Sequence, residues 1–201
     1  MKSIPVGYTR NQQVGFTIVE LLIVIVVIGV LAAITIVAFN GVSDRANNTR
    51  TEDAVSKFRR ALIMYATENG QYPLGGGTSA CLGEASHYTS GCWNGSVSTT
   101  FNDAIRPYMG GTLPNPYNGC LMMYGSCRNG AAYSSQNINL DGAAHTWSIS
   151  YLQKGAVSCQ AGGQAGGSWS NALSTPNNPS RIELHSGTTL CRLILPNPAT
   201  L

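Results

Sequence analysis

The chain has 201 residues, of which 43% are hydrophobic and only 10% charged, against about 25% charged in an average soluble protein. That balance argues against an ordinary soluble enzyme, and a formal net charge of +3 falls short of the basic face expected of a dedicated nucleic-acid binder. The length accommodates one domain of about 150 residues with its own core, plus an appendage, rather than two full domains.

The first stretch, MKSIPVGYTRNQQVG, is short and polar and carries Lys2 and Arg10 without an acid. It stops at Gly15, directly before the apolar run from Phe16 to Phe39, FTIVELLIVIVVIGVLAAITIVAF, in which Glu20 is the sole charged residue. At about 1.5 Å per residue that run makes a helix of roughly 36 Å, longer than the hydrocarbon core of a bilayer. It also lacks the polar face that a core helix of this length shows. A carboxylate inside a bilayer costs about 2 to 3 kcal/mol, so Glu20 needs a partner or a purpose. A small residue at the boundary, an aromatic next and a carboxylate shortly after form a processing site that precedes the apolar stretch. A secretory signal is cut after its apolar stretch, so here the stretch would be kept.

Gly15-Phe16-Thr17-Ile18-Val19-Glu20, followed by Leu21-Leu22-Ile23-Val24-Ile25, resembles the class III signal of type IV pilins and pseudopilins. The resemblance implies cleavage between Gly15 and Phe16 by a prepilin peptidase, methylation of the new Phe16 amine, and retention of the apolar helix for polymerisation. Gly29 falls where the family commonly has a helix glycine, whereas Val37 stands near where many members carry a helix-kinking proline. In a staggered filament a buried Glu20 carboxylate can be neutralised by the free Phe16 ammonium of a neighbouring chain, which turns a costly charge into a register device. A competing reading is secretion, with a signal peptidase cutting after Ala32 in Val30-Leu31-Ala32; it leaves Glu20 and the Gly15 boundary unexplained.

From Asp44 to Asn69 there is no proline, and Val55, Phe58, Leu62 and Tyr65 recur at helical spacing as one apolar stripe. Asp53, Lys57 and Arg60 lie opposite, with Asp53 and Lys57 four apart. The stripe is read as core packing against a globular domain. Gly70 is suited to a left-handed C-cap and Pro73 prevents the helix from resuming, so Phe16 to Asn69 as one helix would measure about 80 Å. Asn40 to Thr51, with Gly41, Asn47 and Asn48 and no large apolar residue after Val42, is expected to fray or bend.

From Gly70 onward most of the 23 glycines and all six cysteines appear and charged residues become sparse. The runs Gly75 to Gly77 and Gly162 to Gly167 read as loops, since a phosphate cradle needs a strand before and a helix after. Trp147, Ile149 and Tyr151 alternate with Thr146, Ser148 and Ser150, the pattern of a half-buried strand. Arg181 to His185 and Leu190 to Leu195 flank Ser186-Gly187-Thr188-Thr189 as a hairpin, and Leu121 to Tyr124 is a further strand candidate. Glu68-Asn69-Gly70-Gln71-Tyr72-Pro73, the amphipathic segment around Phe101, Ile105 and Tyr108, and Leu113-Pro114-Asn115-Pro116 look like the spine exit and following loop of pseudopilins. Family members often have an aspartate where this chain has Asn115, and some bind calcium nearby; with no carboxylate cluster here, no metal and no cofactor is expected.

Cys81, Cys92, Cys120, Cys127, Cys159 and Cys191 all lie on the side expected to face away from the cytoplasm, and none forms a C-x-x-C pair. Three disulfides are therefore expected rather than zinc. Six cysteines admit many connectivities; loop closure and chain proximity favour Cys81 with Cys92, Cys120 with Cys127, and Cys159 with Cys191. No G-x-S-x-G or H-E-x-x-H motif is present, His87, His145 and His185 are scattered and read as surface residues, and Glu84, Asp103, Asp141 and Glu183 are too few to suggest a carboxylate pair. No catalysis is expected.

The expectation is an α+β, pilin-like architecture: a long N-terminal helix on a small antiparallel β-sheet with long Gly-rich, disulfide-bonded loops. Residues 1–15 would be a removed leader, 16–40 the transmembrane and polymerisation helix, 41–69 the amphipathic spine, and 70–201 an extracytoplasmic globular domain. The resemblance implies a structural subunit of a type IV pilus or a type II secretion-like pseudopilus. Its partners would be further copies or other pilins, a prepilin peptidase, the assembly platform and the cytoplasmic membrane, before display at the cell surface or in an extracellular filament. The alternative is a binding protein, either a minor tip pilin or a surface-anchored module for DNA, surfaces or glycans; nothing in the composition supports nucleic-acid contact.

Overall fold

The computed structural model describes residues 15–89, 91–93, 95–123, 126–136, 138–139, 144–157, 159, 180–185 and 187–201, with the backbone alone at 37–40, 123, 138–139, 144 and 180–185. The chain divides into two compact units, Met1–Val42 and Ser43–Leu201. Helix α1 (Ile18–Asn69) contributes to both.

In the second unit the apolar stripe of α1 is the centre of the fold. Val55, Phe58 and Leu62 are fully buried together with Ala61 and Ala66. They pack into one cluster with Tyr133, Ile149, Tyr151 and Leu193 from the sheet and with Phe101 and Ile105. The opposite face of the helix is wet, and there Lys57 Nζ donates to Asp53 Oδ2 at 2.7 Å. Gly70 closes the helix in a left-handed conformation, φ +70°, its N–H donating to the Ala66 carbonyl at 2.8 Å, a role for which only glycine lacks a steric penalty.

The main sheet has strand order β1-β4-β7-β9-β8, every neighbour antiparallel. Its strands are β1 (Ser79–Cys81), β4 (Ala131–Ser134), β7 (Ser148–Lys154), β8 (Ser180–His185) and β9 (Thr188–Ile194). Register places Tyr133 opposite Ile149 and Ile149 opposite Leu193, one row of the core face, and Tyr151 opposite Cys191, the next. Two smaller pairs stand apart: β2 (Leu121–Met123) with β3 (Ser126–Arg128), and β5 (Ile138–Asn139) with β6 (Ala144–His145). Helix α2 (Thr99–Ile105) is N-capped by Ser98, whose side chain accepts from the Phe101 N–H, and runs into a 3-10 turn at Arg106–Met109. The Phe101 ring stacks on Tyr133 at 5.2 Å.

The α+β, pilin-like architecture and the β8–β9 hairpin match the reading of the sequence, and Gly75 to Gly77 lie in a connection. Gly162 to Gly167 lie outside the described residues. Two local expectations are corrected. Strand β7 is buried on both faces from Ser148 to Gln153 rather than half-buried. It is a central strand whose serines face away from α1, and on that side Leu152 joins Leu190 and Leu121 under Trp93 and Tyr117.

Nor does the helix fray between Ser43 and Thr51; it is regular throughout. The weak apolar packing there is offset by polar fasteners. The Asn48 side chain donates to the Lys154 carbonyl and accepts from the Lys154 N–H, both at 2.9 Å. Asp44 pairs with Lys154 Nζ at 3.1 Å, and buried Thr51 accepts from the Tyr117 N–H at 3.0 Å.

The connection after α2 is held in the same manner. Glu84 accepts two bonds from Arg106, at 2.7 and 2.9 Å, and one from the Leu113 N–H at 3.2 Å. Asn115 Oδ1 accepts from the Glu84 N–H at 2.8 Å, and Arg50 Nε donates to the Asn115 carbonyl at 2.9 Å. Disulfides link Cys81 to Cys92, Cys120 to Cys127 and Cys159 to Cys191, with Cα separations of 5.6, 5.2 and 5.7 Å.

Two outcomes are expected from this packing. Phe58→Ala removes the ring at the centre of the helix–sheet contact and should cost roughly 3–5 kcal/mol, read by urea unfolding of the full chain in detergent. The second concerns acid stability. The Arg106 hydrogen bonds, with that of the Leu113 N–H, hold the Glu84 carboxyl below its ordinary value of 4.5. A lowered folded value means that the stabilisation is complete above about pH 4.5 and is lost as pH falls through the folded value. Glu84→Gln should therefore lower Tm most above about pH 4.5, where the carboxylate's stabilisation is fully present, and least in acid, so that the acid limb of a Tm-against-pH curve flattens.

Candidate functional site

In the first unit α1 begins just after the Gly15–Phe16 bond, and its first turn closes on itself. The Thr17 N–H and Oγ1 both donate to Glu20 Oε2, at 2.9 and 2.7 Å. In return the Glu20 N–H donates to Thr17 Oγ1 at 3.2 Å. This reciprocal arrangement is a capping box, in which a threonine at the N-cap and a glutamate three residues later satisfy donors that the helix end leaves open. The reading of the sequence overlooked it, although the spacing Thr17-x-x-Glu20 before an apolar run is the signal.

Around the carboxylate the surface is apolar: Phe16, Leu21, Ile23 and Val24 form a shallow hollow with Glu20. Phe16 is 88% exposed and Ile18 85%. The apolar side chains from Leu21 to Ile36 are likewise exposed, and α1 is long and apolar enough to cross a membrane. Among the described residues a Cβ added at Gly15 or Gly29 would meet nothing within 4 Å, so neither glycine answers to crowding by them. Residues 1–14 lie outside the described residues.

The remaining candidate residues are not brought to one place. His87 is half-buried rather than on the surface, with Nε2 at 2.7 Å from the Pro116 carbonyl. His145 belongs to β6, and the side chain of His185 lies outside the described residues. Among the described residues no group of three or more His, Cys, Asp or Glu side chains forms a metal-binding cluster. Asn115 is committed to the backbone of Glu84.

With this geometry in place, comparison with known proteins gives a class. Residues 10–36 match the prokaryotic N-terminal methylation motif. That match covers the start of α1, so the chain is similar to proteins that carry this methylation motif, and its α+β architecture is pilin-like. More particularly, it is similar to the type II secretion system core protein G of Pseudomonas aeruginosa, at 36% identity over 64 residues (32% of this chain, 45% of that protein). Similarity to the core protein G of Klebsiella michiganensis is 34% over 64 residues, with the same shares of each chain. For that of Escherichia coli K12 it is 35% over 63 residues, covering 31% of this chain and 43% of the relative. The chain thus spans less than half the length of the curated relatives that it matches. No solved structure gives a significant match.

Proposed function

We propose that this chain is a structural, non-catalytic subunit of a type II secretion-like pseudopilus or a type IV pilus. It is held in the cytoplasmic membrane by the apolar part of α1 and drawn into a filament by packing of that helix against the same helix in other copies or in other pilins. The observation that carries the reading is a lone carboxylate, Glu20, one turn from the chain start expected at Phe16, within the otherwise apolar first part of α1, whose side chains are exposed from Leu21 to Ile36. The similarity to core protein G supports the secretion-type filament over a tip adhesin. In the free subunit the Thr17 capping box keeps Glu20 hydrogen-bonded; on assembly, the carboxylate answers the Phe16 ammonium of a neighbour. Gly29, with nothing packed against it among the described residues, suits close approach of a second helix.

A prepilin peptidase would cut between Gly15 and Phe16 and methylate the new amine. The mature chain should begin at N-methylated Phe16 by intact-mass and N-terminal analysis; a chain beginning at Ala33 would instead assign it to secretion. Glu20→Gln should leave membrane insertion intact, because the polar cost in the bilayer falls. It should sharply reduce filament number, because a neighbour's ammonium is then buried opposite a neutral side chain. Electron microscopy of sheared filaments, with fractionation of the cleaved subunit, checks both halves, and normal filament numbers would remove Glu20 from assembly.

A further inference from the structure

The three disulfides are not equivalent in their surroundings. Cys159 and Cys191 are 3% and 0% exposed. Cys81 is also buried, and its half-buried partner Cys92 lies against Gly95, so closely that a Cβ on that glycine would stand 2.9 Å from Cys92 Sγ. Cys120 and Cys127 alone are both exposed. They also close the shortest loop, with a sequence separation of 7 against 11 and 32.

Thiol–disulfide exchange needs a thiolate to reach one sulfur of the bond, so access selects which bond reacts. A bond that closes a short loop also removes the least freedom from the unfolded chain, so its loss destabilises the fold least. Both considerations single out the same pair. The bond joins Cys127, in β3, to Cys120, the residue just before β2, and so ties a two-stranded sheet separate from the five-stranded one. The hairpin meets the main domain through Leu121, 4% exposed, which covers Leu152 and Leu190 beside Trp93 and Tyr117.

We propose that Cys120–Cys127 is a reducible clasp: a thiol-exchange site, open to a dithiol reductant, whose cleavage loosens β2–β3 while the five-stranded sheet and its two sheltered disulfides stay intact. The reductant's thiolate attacks one sulfur of the pair and forms a mixed disulfide, releasing the other cysteine as a thiol. The reductant's second thiol then resolves it. Two electrons and two protons pass to the protein, and the dithiol leaves as a disulfide. The opened hairpin uncovers the Leu121, Leu152 and Leu190 cluster. The inference stands independently of filament assembly.

The test uses the full chain in detergent, exposed to dithiothreitol under native conditions, quenched with N-ethylmaleimide at intervals and mapped by peptide mass spectrometry. Cys120 and Cys127 should be labelled together at least tenfold faster than the other four cysteines. Hydrogen exchange should rise over β2 and β3, with β1, β4, β7 and β9 still protected. A Cys120→Ser, Cys127→Ser double variant should fold with the other two bonds formed and show that same exchange pattern without reductant. Labelling of Cys81 and Cys92, or of Cys159 and Cys191, as fast as the exposed pair would overturn the proposal. So would loss of protection across the five-stranded sheet when Cys120 and Cys127 open.

Discussion

Burial of one face of α1 against one face of the antiparallel sheet is the contact on which the folded unit depends. Val55, Phe58 and Leu62 meet Tyr133, Ile149, Tyr151 and Leu193 there, and each large side chain so buried contributes about 1.5–3 kcal/mol. Such a helix draws most of its stability from packing of its apolar face rather than from propensity, and strands as short as β1 and β4 need a partner surface to persist. Each therefore supplies what the other lacks. Helix α2 joins the same contact through Phe101, stacked on Tyr133, and the aromatic layer continues to Tyr72 against Trp147 at 5.5 Å. Tyr72 keeps its polar end satisfied by donating to the Pro196 carbonyl at 3.0 Å; burial pushes its hydroxyl up to about 12, with Arg59 nearby acting in the opposite sense.

Outside that contact the chain is mostly connection, and it is fastened in a manner suited to a sequence with few charges. Exposed ion pairs such as Asp53 with Lys57 contribute little on their own. The more specific fasteners are neutral or bidentate: Asn48 satisfying both backbone groups of Lys154, Thr51 receiving the Tyr117 N–H, and Glu84 gripping Arg106 and Leu113 together. Such bonds matter chiefly because the backbone groups they satisfy would otherwise face partial burial unpaired.

The two parts of α1 answer opposite demands. Within Ser43–Leu201 its apolar stripe is satisfied by its own chain, so that part reads as a normal amphipathic helix. In the N-terminal unit no described side chain covers the apolar surface from Leu21 to Ile36, an exposure that the proposed membrane and filament roles would relieve. The Thr17–Glu20 capping box gives the carboxylate a local partner, which lowers the cost of keeping a charge at that place.

The long helix, its C-cap at Gly70, the buried stripe and the hairpin of β8 and β9 were legible in the sequence because periodicity and turn chemistry are local properties. So was the methylation motif that residues 10–36 match, since Gly15, Phe16 and Glu20 lie within a few residues of one another. The Thr17 capping box was equally local and was written in the same six residues. Strand β1 and the short β4 were not legible, because Ser-Ala-Cys and Ala-Ala-Tyr-Ser carry no distinctive alternation and become strands only by pairing with each other and with β7. The same holds for the second buried face of β7. Ser148 and Ser150 look solvent-facing along the chain, and only a central position with Leu121, Leu152 and Leu190 on the far side encloses them. The regularity of α1 from Ser43 to Thr51 was likewise decided in three dimensions, because the groups that anchor it, at Lys154 and Tyr117, are remote in sequence and reach it only when the sheet has formed.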